Sequence, residues 1–330
     1  MKHRIHAGNP SFLLMLALVF FVCAAFLLSL TTGNVTTRWH DLGHLLFTDG
    51  ESLSQTVVLE LRLPRALSGL AVGGLLALAG TLMQVLLRNP LADPYVLGLS
   101  GGASCAAIVA LLMGLTGDWL AISSLGGALF TMLTLFYLAN GPGGGSVTRL
   151  LLTGVVMSAG WGALISFLMY LSPDTQLRGI FFWLMGDLGY AERPKTALLI
   201  LIVGLGSIWP FARGLNLLAR GEQRAASLGV AVEQLRWLVY FLASLLTAFA
   251  VTTGGAIGFI GLLCPHLIRL LGFTDHRVLL PAAVLLGGGF LMLADTLARV
   301  ILTAQQLPVG MVTALIGVPI FLFLLRKGPL

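Results

Sequence analysis

The sequence predicts an all-α, polytopic membrane protein of about ten transmembrane helices, and three observations predict it. Hydrophobic residues make up 57% of the chain and charged residues only 10%, against about 45–50% and roughly 25% in soluble domains. Apolar runs of about twenty residues, enough to cross roughly 30 Å of hydrocarbon as helix, recur from end to end. The polar segments between them are too short to bury a core. Residues 1–330 therefore read as one transmembrane domain with a mean hydropathy of +0.96.

The expected spans are residues 11–32, 66–87, 97–114, 119–138, 150–171, 195–210, 236–253, 256–272, 279–297 and 307–325. The first follows Lys2 and Arg4. Its apolar run exceeds the roughly 7–15 residues of a secretory signal core and lacks a cleavage pattern, so it reads as a span. The second carries Gly73, Gly74, Ala77 and Gly80, the third Gly98, Gly101 and Gly102, and the ninth Gly287, Gly288 and Gly289. Small residues let helix backbones approach closely in lipid, which predicts a tight bundle. The third, sixth and eighth runs are short or interrupted by glycine. Between spans two and three, Arg88 to Pro94 holds two prolines, which enforce a sharp connection. Gly141 to Thr148 joins spans four and five. Between spans five and six, Ile180 to Gly186 is apolar but too short to cross, and reads as an interfacial or re-entrant helix.

Ten spans put both termini on one side. With the termini in the cytoplasm, 12 Lys and Arg residues lie inside and 7 outside, which agrees with the positive-inside rule. The net charge of +6 then belongs to loops beside the membrane, and nucleic acid is not expected as a partner. The same orientation places the polar stretch 211–236 in the cytoplasm. It holds six charged residues: Arg213, Arg220, Glu222, Arg224, Glu233 and Arg236. Its pattern predicts two short helices, one stopped at Gly221 and one ended by Gly229 in the left-handed conformation. Such a loop is either an ordinary solvated connection or a surface that receives a push from a soluble partner.

No cofactor or metal is expected on this chain. No Gly-x-x-x-x-Gly-Lys-Ser/Thr pattern is present, so ATP is not held by a P-loop. Cys23, Cys105 and Cys264 are too far apart for a metal or redox motif and read as buried hydrophobes. His266 reads as a packing residue, and no two carboxylates are placed for acid–base catalysis. Arg62, Arg65 and Arg299 stand at the outer face, with Asp295 four residues before Arg299 on one helical side. They read either as helix-end arginines with a structural Asp295–Arg299 pair, or as a basic rim for an acidic partner.

Three segments resemble the FecCD-type permeases: Arg62 to Ser104, Gly254 to Pro281, and ADTLARV with Leu307 to Lys327. That family supplies the membrane subunits of bacterial ABC importers for ferric siderophores, haem and vitamin B12, with iron chelates the commonest cargo. The resemblance implies the type II ABC importer permease fold in the inner membrane. It implies a homodimer, two cytoplasmic ABC ATPase subunits that bind ATP and Mg, and a periplasmic substrate-binding protein. Gly221, Glu222, Ala225, Ala226, Leu228 and Gly229 fall on the family's ATPase-coupling positions. Arg62, Arg65 and Arg299 fall on arginines that dock the binding protein. Asn89, Pro90 and Leu91, with Ser146, Val147 and Thr148, fall on the two inner loops that close the pathway. Val147 stands where the vitamin B12 permease pattern has a hydroxyl residue. The permease itself would not be an enzyme. The alternative is a secondary transporter that uses an ion gradient through Asp295 or His266.

Overall fold

The computed structural model describes residues 10–33, 53–139, 147–191, 193–302 and 305–327. Every regular element among them is helical. The long helices are α1 (Pro10–Thr31), α2 (Leu53–Leu86), α4 (Gly117–Ala139), α5 (Val147–Leu171), α10 (Val232–Gly254), α12 (His276–Val300) and α13 (Val309–Lys327). The shorter ones are α3 (Leu99–Leu112), α6 (Asp174–Leu184), α7 (Pro194–Ile208), α8 (Ala212–Leu218), α9 (Glu222–Ser227) and α11 (Ile260–Leu270). A 3₁₀ turn, Trp209–Phe211, joins α7 to α8, so that Pro194–Leu218 is one rod long enough to cross.

Each expected span has a helix, but three boundaries are corrected. The second begins at Leu53 and not at 66, because a π-helical stretch, Val57–Arg62, runs into Pro64 without a break. The seventh begins at Val232, which draws Glu233 and Arg236 out of the loop and into α10. The eighth shrinks to the 11 residues of α11, about 16 Å of helix and too short to cross alone. The apolar run after Ser172 forms α6, which buries only Ile180 and Trp183.

The core is built around α2, which packs on α12, α10, α11 and α7. From Ala71 to Leu86 every residue of α2 is buried. Glycine makes this possible. A Cβ at Gly73 or Gly80 would land on the backbone carbonyl of Gly287 or Gly261. The small-residue stripes of spans two and nine are therefore a single seam, with the α2 and α12 backbones in near contact. Outside this seam α1 and α5 expose broad leucine, valine and phenylalanine faces, as lipid or a partner chain requires.

At Pro265 and Pro281 the helical core is opened, and each opening is closed by a side chain. Proline has no N–H, so the carbonyl four residues before it loses its partner. Pro265 frees the carbonyl of Gly261, which accepts from Gln84 Nε2 at 3.4 Å. Pro281 frees that of Arg277, which accepts from the Trp209 indole N–H at 3.2 Å. The link from α10 to α11 is non-helical, with Gly255 at φ +74° and Phe259 at φ +70°. Tyr95 bridges it: its hydroxyl donates to the Ile257 carbonyl at 3.0 Å and accepts the Ile257 N–H at 3.1 Å. Without these partners, polar backbone would stand unmet in an apolar surround.

Candidate functional site

The functional candidates fall at the two ends of α2. Arg65 lies on that helix and Arg88 in the turn just past its end at Leu86; the 21 residue steps from Arg65 to Leu86 make about 32 Å of rise, close to one bilayer thickness.

At the first end, the π-helical stretch carries Arg62 and the next turn carries Arg65. Arg62 and Arg299 are 3% and 8% exposed. Both turn toward the end of α1. Arg62 Nη1 donates to the Leu30 and Thr31 carbonyls at 2.8 and 3.3 Å, and Arg299 Nη2 donates to the Ser29 carbonyl and hydroxyl at 3.2 and 3.0 Å. These are carbonyls that a helix end leaves unpaired, where positive charge is favoured. Asp295 is 1% exposed and divides its oxygens: Oδ1 lies 2.8 Å from Arg65 Nη2, and Oδ2 lies 3.0 Å from Arg299 Nε. Arg65 also reaches Gln306 at 2.8 Å and Asp187 at 3.4 Å.

The expected Asp295–Arg299 pair is present. Arg62 and Arg299 are buried and hold the end of α1. The cluster still lines an open cavity of about 550 Å³ with Glu60 and Gln306 at its edge. Three guanidinium groups there face three carboxylates, the buried Asp295, the part-buried Asp187 and the exposed Glu60, so the formal charges of the cluster balance. Asp187, Gln306 and Ser29 belong to the cluster, and no local pattern in the sequence marks them.

At the other end, α9 has the expected form. Gly221 and Gly229 take φ of +120° and +82°. The Gly229 N–H returns to the Ala226 carbonyl and the Val230 N–H to the Ala225 carbonyl, both at 3.0 Å, the Schellman arrangement that glycine permits. Ala225 is fully buried, whereas Ala226, Leu228 and Gly229 face outward, with Leu228 65% exposed. Glu222 lies 3.6 Å from Arg88 and 3.8 Å from Arg236. It thus ties α9 to the end of α2 and to the base of α10.

Arg88 takes φ +48° and opens the turn that holds Asn89, Pro90 and Leu91. In it the Leu91 N–H donates to Asn89 Oδ1 at 2.9 Å. Of the second expected inner loop, Ser146 lies outside the described residues. Val147 is corrected from loop to the first residue of α5, followed by an exposed Thr148. Gly154 of α5 lies against the Val96 carbonyl, so α5 packs beside the chain that leaves this turn.

His266 is buried and edge-on to Phe321, with ring centroids 6.4 Å apart. Among the described residues no group of His, Cys, Asp or Glu could hold a metal ion.

The family model of the FecCD transport family matches residues 19–327. The vitamin B12 import system permease protein BtuC of Salmonella typhi is 40% identical over 319 residues, 95% of each chain. That of Salmonella newport (strain SL254) is equally similar, at 40% over 319 residues and 95% of each chain. Among solved structures, an inward-facing metal-chelate type ABC transporter is 32% identical with a TM-score of 0.84, covering 96% of this chain and all of its own. PsaBC from Streptococcus pneumoniae, at 18% identity and a TM-score of 0.56 over 87% of this chain and 96% of its own, shares the fold alone.

Proposed function

The chain belongs to the FecCD transport family, and from that premise we propose that it is the permease half of a binding-protein-dependent ABC importer for a corrinoid of the vitamin B12 class. Two copies would enclose the pathway in the bacterial inner membrane, with both termini in the cytoplasm. Two ABC ATPase subunits would bind and hydrolyse ATP, and a periplasmic protein would deliver the cargo. This chain would bind no cofactor and catalyse no reaction. The relatives at 40% identity are vitamin B12 import permeases, which favours a corrinoid over the iron chelates expected from family frequency.

The observation that carries this reading is the α8–α9 segment. Its α8 is anchored in the core by Ala212, Leu215 and Leu218, while α9 presents Ala226, Leu228 and Gly229 outward and is joined through Glu222 to Arg88. A push on α9 is thereby delivered to the end of α2 and to the Asn89–Leu91 turn, the proposed inner gate with Ser146, Val147 and Thr148. Gly221 and Gly229 fix the ends of α9 and so make it a stiff lever. At the far end of the same helix, the Arg62–Arg65–Arg299 cavity would receive a carboxylate of the binding protein. Motion of α2 then couples the two faces. The doubly paired Asp295 is poorly suited to pick up and release a transported ion, which weighs against a gradient-driven transporter.

The test is purification of the full-length chain from its native membrane in mild detergent, with the accompanying subunits identified by mass. A stoichiometric ATPase, together with cargo-stimulated ATP hydrolysis after addition of the binding protein and a corrinoid, is the expected result. Uptake of cargo by the chain alone, driven by an ion gradient in vesicles, would overturn it.

A further inference from the structure

A second cavity, of about 600 Å³, opens at the α8 end of the bundle between α2, α8 and the start of α12. Its lining is strongly basic: Arg88, Arg213, Arg220 and Arg269 surround it, against the single carboxylate of Asp275. Arg88 is answered by Glu222 and Arg269 donates to Gln84 Oε1. Arg213 and Arg220 are exposed and form no ion pair among the described residues.

The wall also carries a buried polar group that nothing among the described residues meets. His276 is 3% exposed and lines the cavity, and its Nε2 has no hydrogen-bond partner among them. Its protonation is set by a neighbour. Asn216 Nδ2 donates to Asp275 Oδ1 at 2.8 Å, which leaves Asn216 Oδ1 as an acceptor. That oxygen takes the His276 backbone N–H at 2.9 Å and lies 2.6 Å from Nδ1. Nδ1 therefore carries the proton, and Nε2 of the neutral ring presents a lone pair. A ligand that suits this cavity offers negative charge to the arginines and an O–H donor to Nε2.

Depth identifies the source of such a ligand. Gln84 and Val85 end α2 here and His276 begins α12. Trp209, 55% exposed, lies beside it with its indole N–H on the Arg277 carbonyl, an amphipathic side chain of the kind that membrane interfaces concentrate. Leu270 and Leu271, next to Arg269, are 57% and 63% exposed and offer a surface for acyl chains. Basic pockets between spans at this depth suit lipid headgroups.

We propose that this cavity binds the headgroup of an anionic glycerophospholipid, with its phosphodiester on the arginines and a headgroup hydroxyl on His276 Nε2. Phosphatidylglycerol meets both requirements. Phosphatidylethanolamine brings an ammonium toward four guanidinium groups and is disfavoured. The inference rests on the membrane location of the chain and not on its cargo or ATPase.

The test is native mass spectrometry of the delipidated full-length chain in detergent. Phosphatidylglycerol, phosphatidylethanolamine, phosphatidylmethanol and the tail-free glycerophosphoglycerol are titrated separately. One phosphatidylglycerol per chain should be retained where phosphatidylethanolamine is not. Arg213→Gln with Arg220→Gln, both exposed and expected to fold, should weaken it by about tenfold or more. Ala219→Glu, at the exposed rim, should do the same by repulsion. His276→Phe should abolish the preference over phosphatidylmethanol, which is anionic but lacks the hydroxyl. Equal retention of phosphatidylethanolamine, or no effect of the arginine variants, overturns the proposal. Glycerophosphoglycerol that binds as tightly and displaces the lipid would assign the cavity to a soluble phosphodiester. Release of the lipid when an ATPase subunit docks would assign it to an acidic protein surface. Either result also overturns the lipid site.

Discussion

Asp295→Asn tests the most heavily committed charge in the molecule. Asp295 is 1% exposed, and its two oxygens serve Arg65 at 2.8 Å and Arg299 at 3.0 Å. The substitution keeps the shape, removes the charge, and turns an amide N–H₂ toward guanidinium donors. Arg299, 8% exposed, is then a buried cation without its carboxylate. Removing one partner of a buried ion pair costs about 3–5 kcal/mol. Asp187→Asn is the control. Asp187 is 16% exposed and 3.4 Å from Arg65, and its contact with the Gly189 N–H at 2.8 Å survives in an asparagine. That change should cost about 1 kcal/mol or less. At about 2 °C per kcal/mol for a chain of this size, the two variants should differ by roughly 4–10 °C in Tm. The assay is thermal unfolding of the full-length chain in lipid nanodiscs, read by tryptophan fluorescence and by loss of monodispersity. Equal shifts for the two variants would refute the reasoning, because Asp295 would then not be holding two arginines.

Three other substitutions probe the seam, a buried turn and the lever. Gly80→Val places a Cβ on the Gly261 carbonyl and should cost at least about 3 kcal/mol. Gly126→Ala meets nothing within 4 Å and should be neutral or stabilising by about 0.5–1 kcal/mol; comparable folded yields of the two in detergent would contradict the seam. The Asp93 carboxyl is pushed up to about 6 by burial, against the lowering effect of the Tyr95 N–H that it accepts. A folded value above the unfolded one of about 3.9 means that stability falls as pH rises through that interval and is level above it. Asp93→Asn, which keeps the acceptor, should remove this slope, and a variant whose Tm retains the slope from about pH 4 to about pH 7 would count against it. Glu222→Ala should leave stability within about 1 kcal/mol, since its ion pairs are part-exposed, yet, on the importer reading proposed above, should lower cargo-stimulated ATP hydrolysis. Undiminished stimulation would remove Glu222 from the coupling path.

Much of the site was legible because local rules govern it. Gly221 and Gly229 had to end α9, since only glycine adopts those backbone angles cheaply, and Asp295–Arg299 had to pair at a spacing of four. The start of α2 was not legible, because Glu60, Arg62 and Arg65 interrupt an otherwise apolar run with charge, which a span disfavours until Arg62 is seen to serve α1. The shortness of α11 was hidden as well. A window over residues 256–272 averages hydropathy and cannot register the strained link at Gly255 and Phe259 that Tyr95 holds from 160 residues away in the chain. Asn216, Gln84 and His276 carry no motif, and their meaning depends on neighbours brought from other spans.

By itself the sequence determined the solvent, the all-helical class, the two polar ends and the family. Those follow from composition, from twenty-residue apolar periods and from motifs that lie along the chain. Only the tertiary structure decided which arginines are structural cations, which carbonyls freed by proline are met, and where an uncompensated basic cavity opens. The physical reason is that burial removes water as the default partner. A buried charge or carbonyl must then be answered by a group whose identity is fixed by three-dimensional proximity and not by sequence distance.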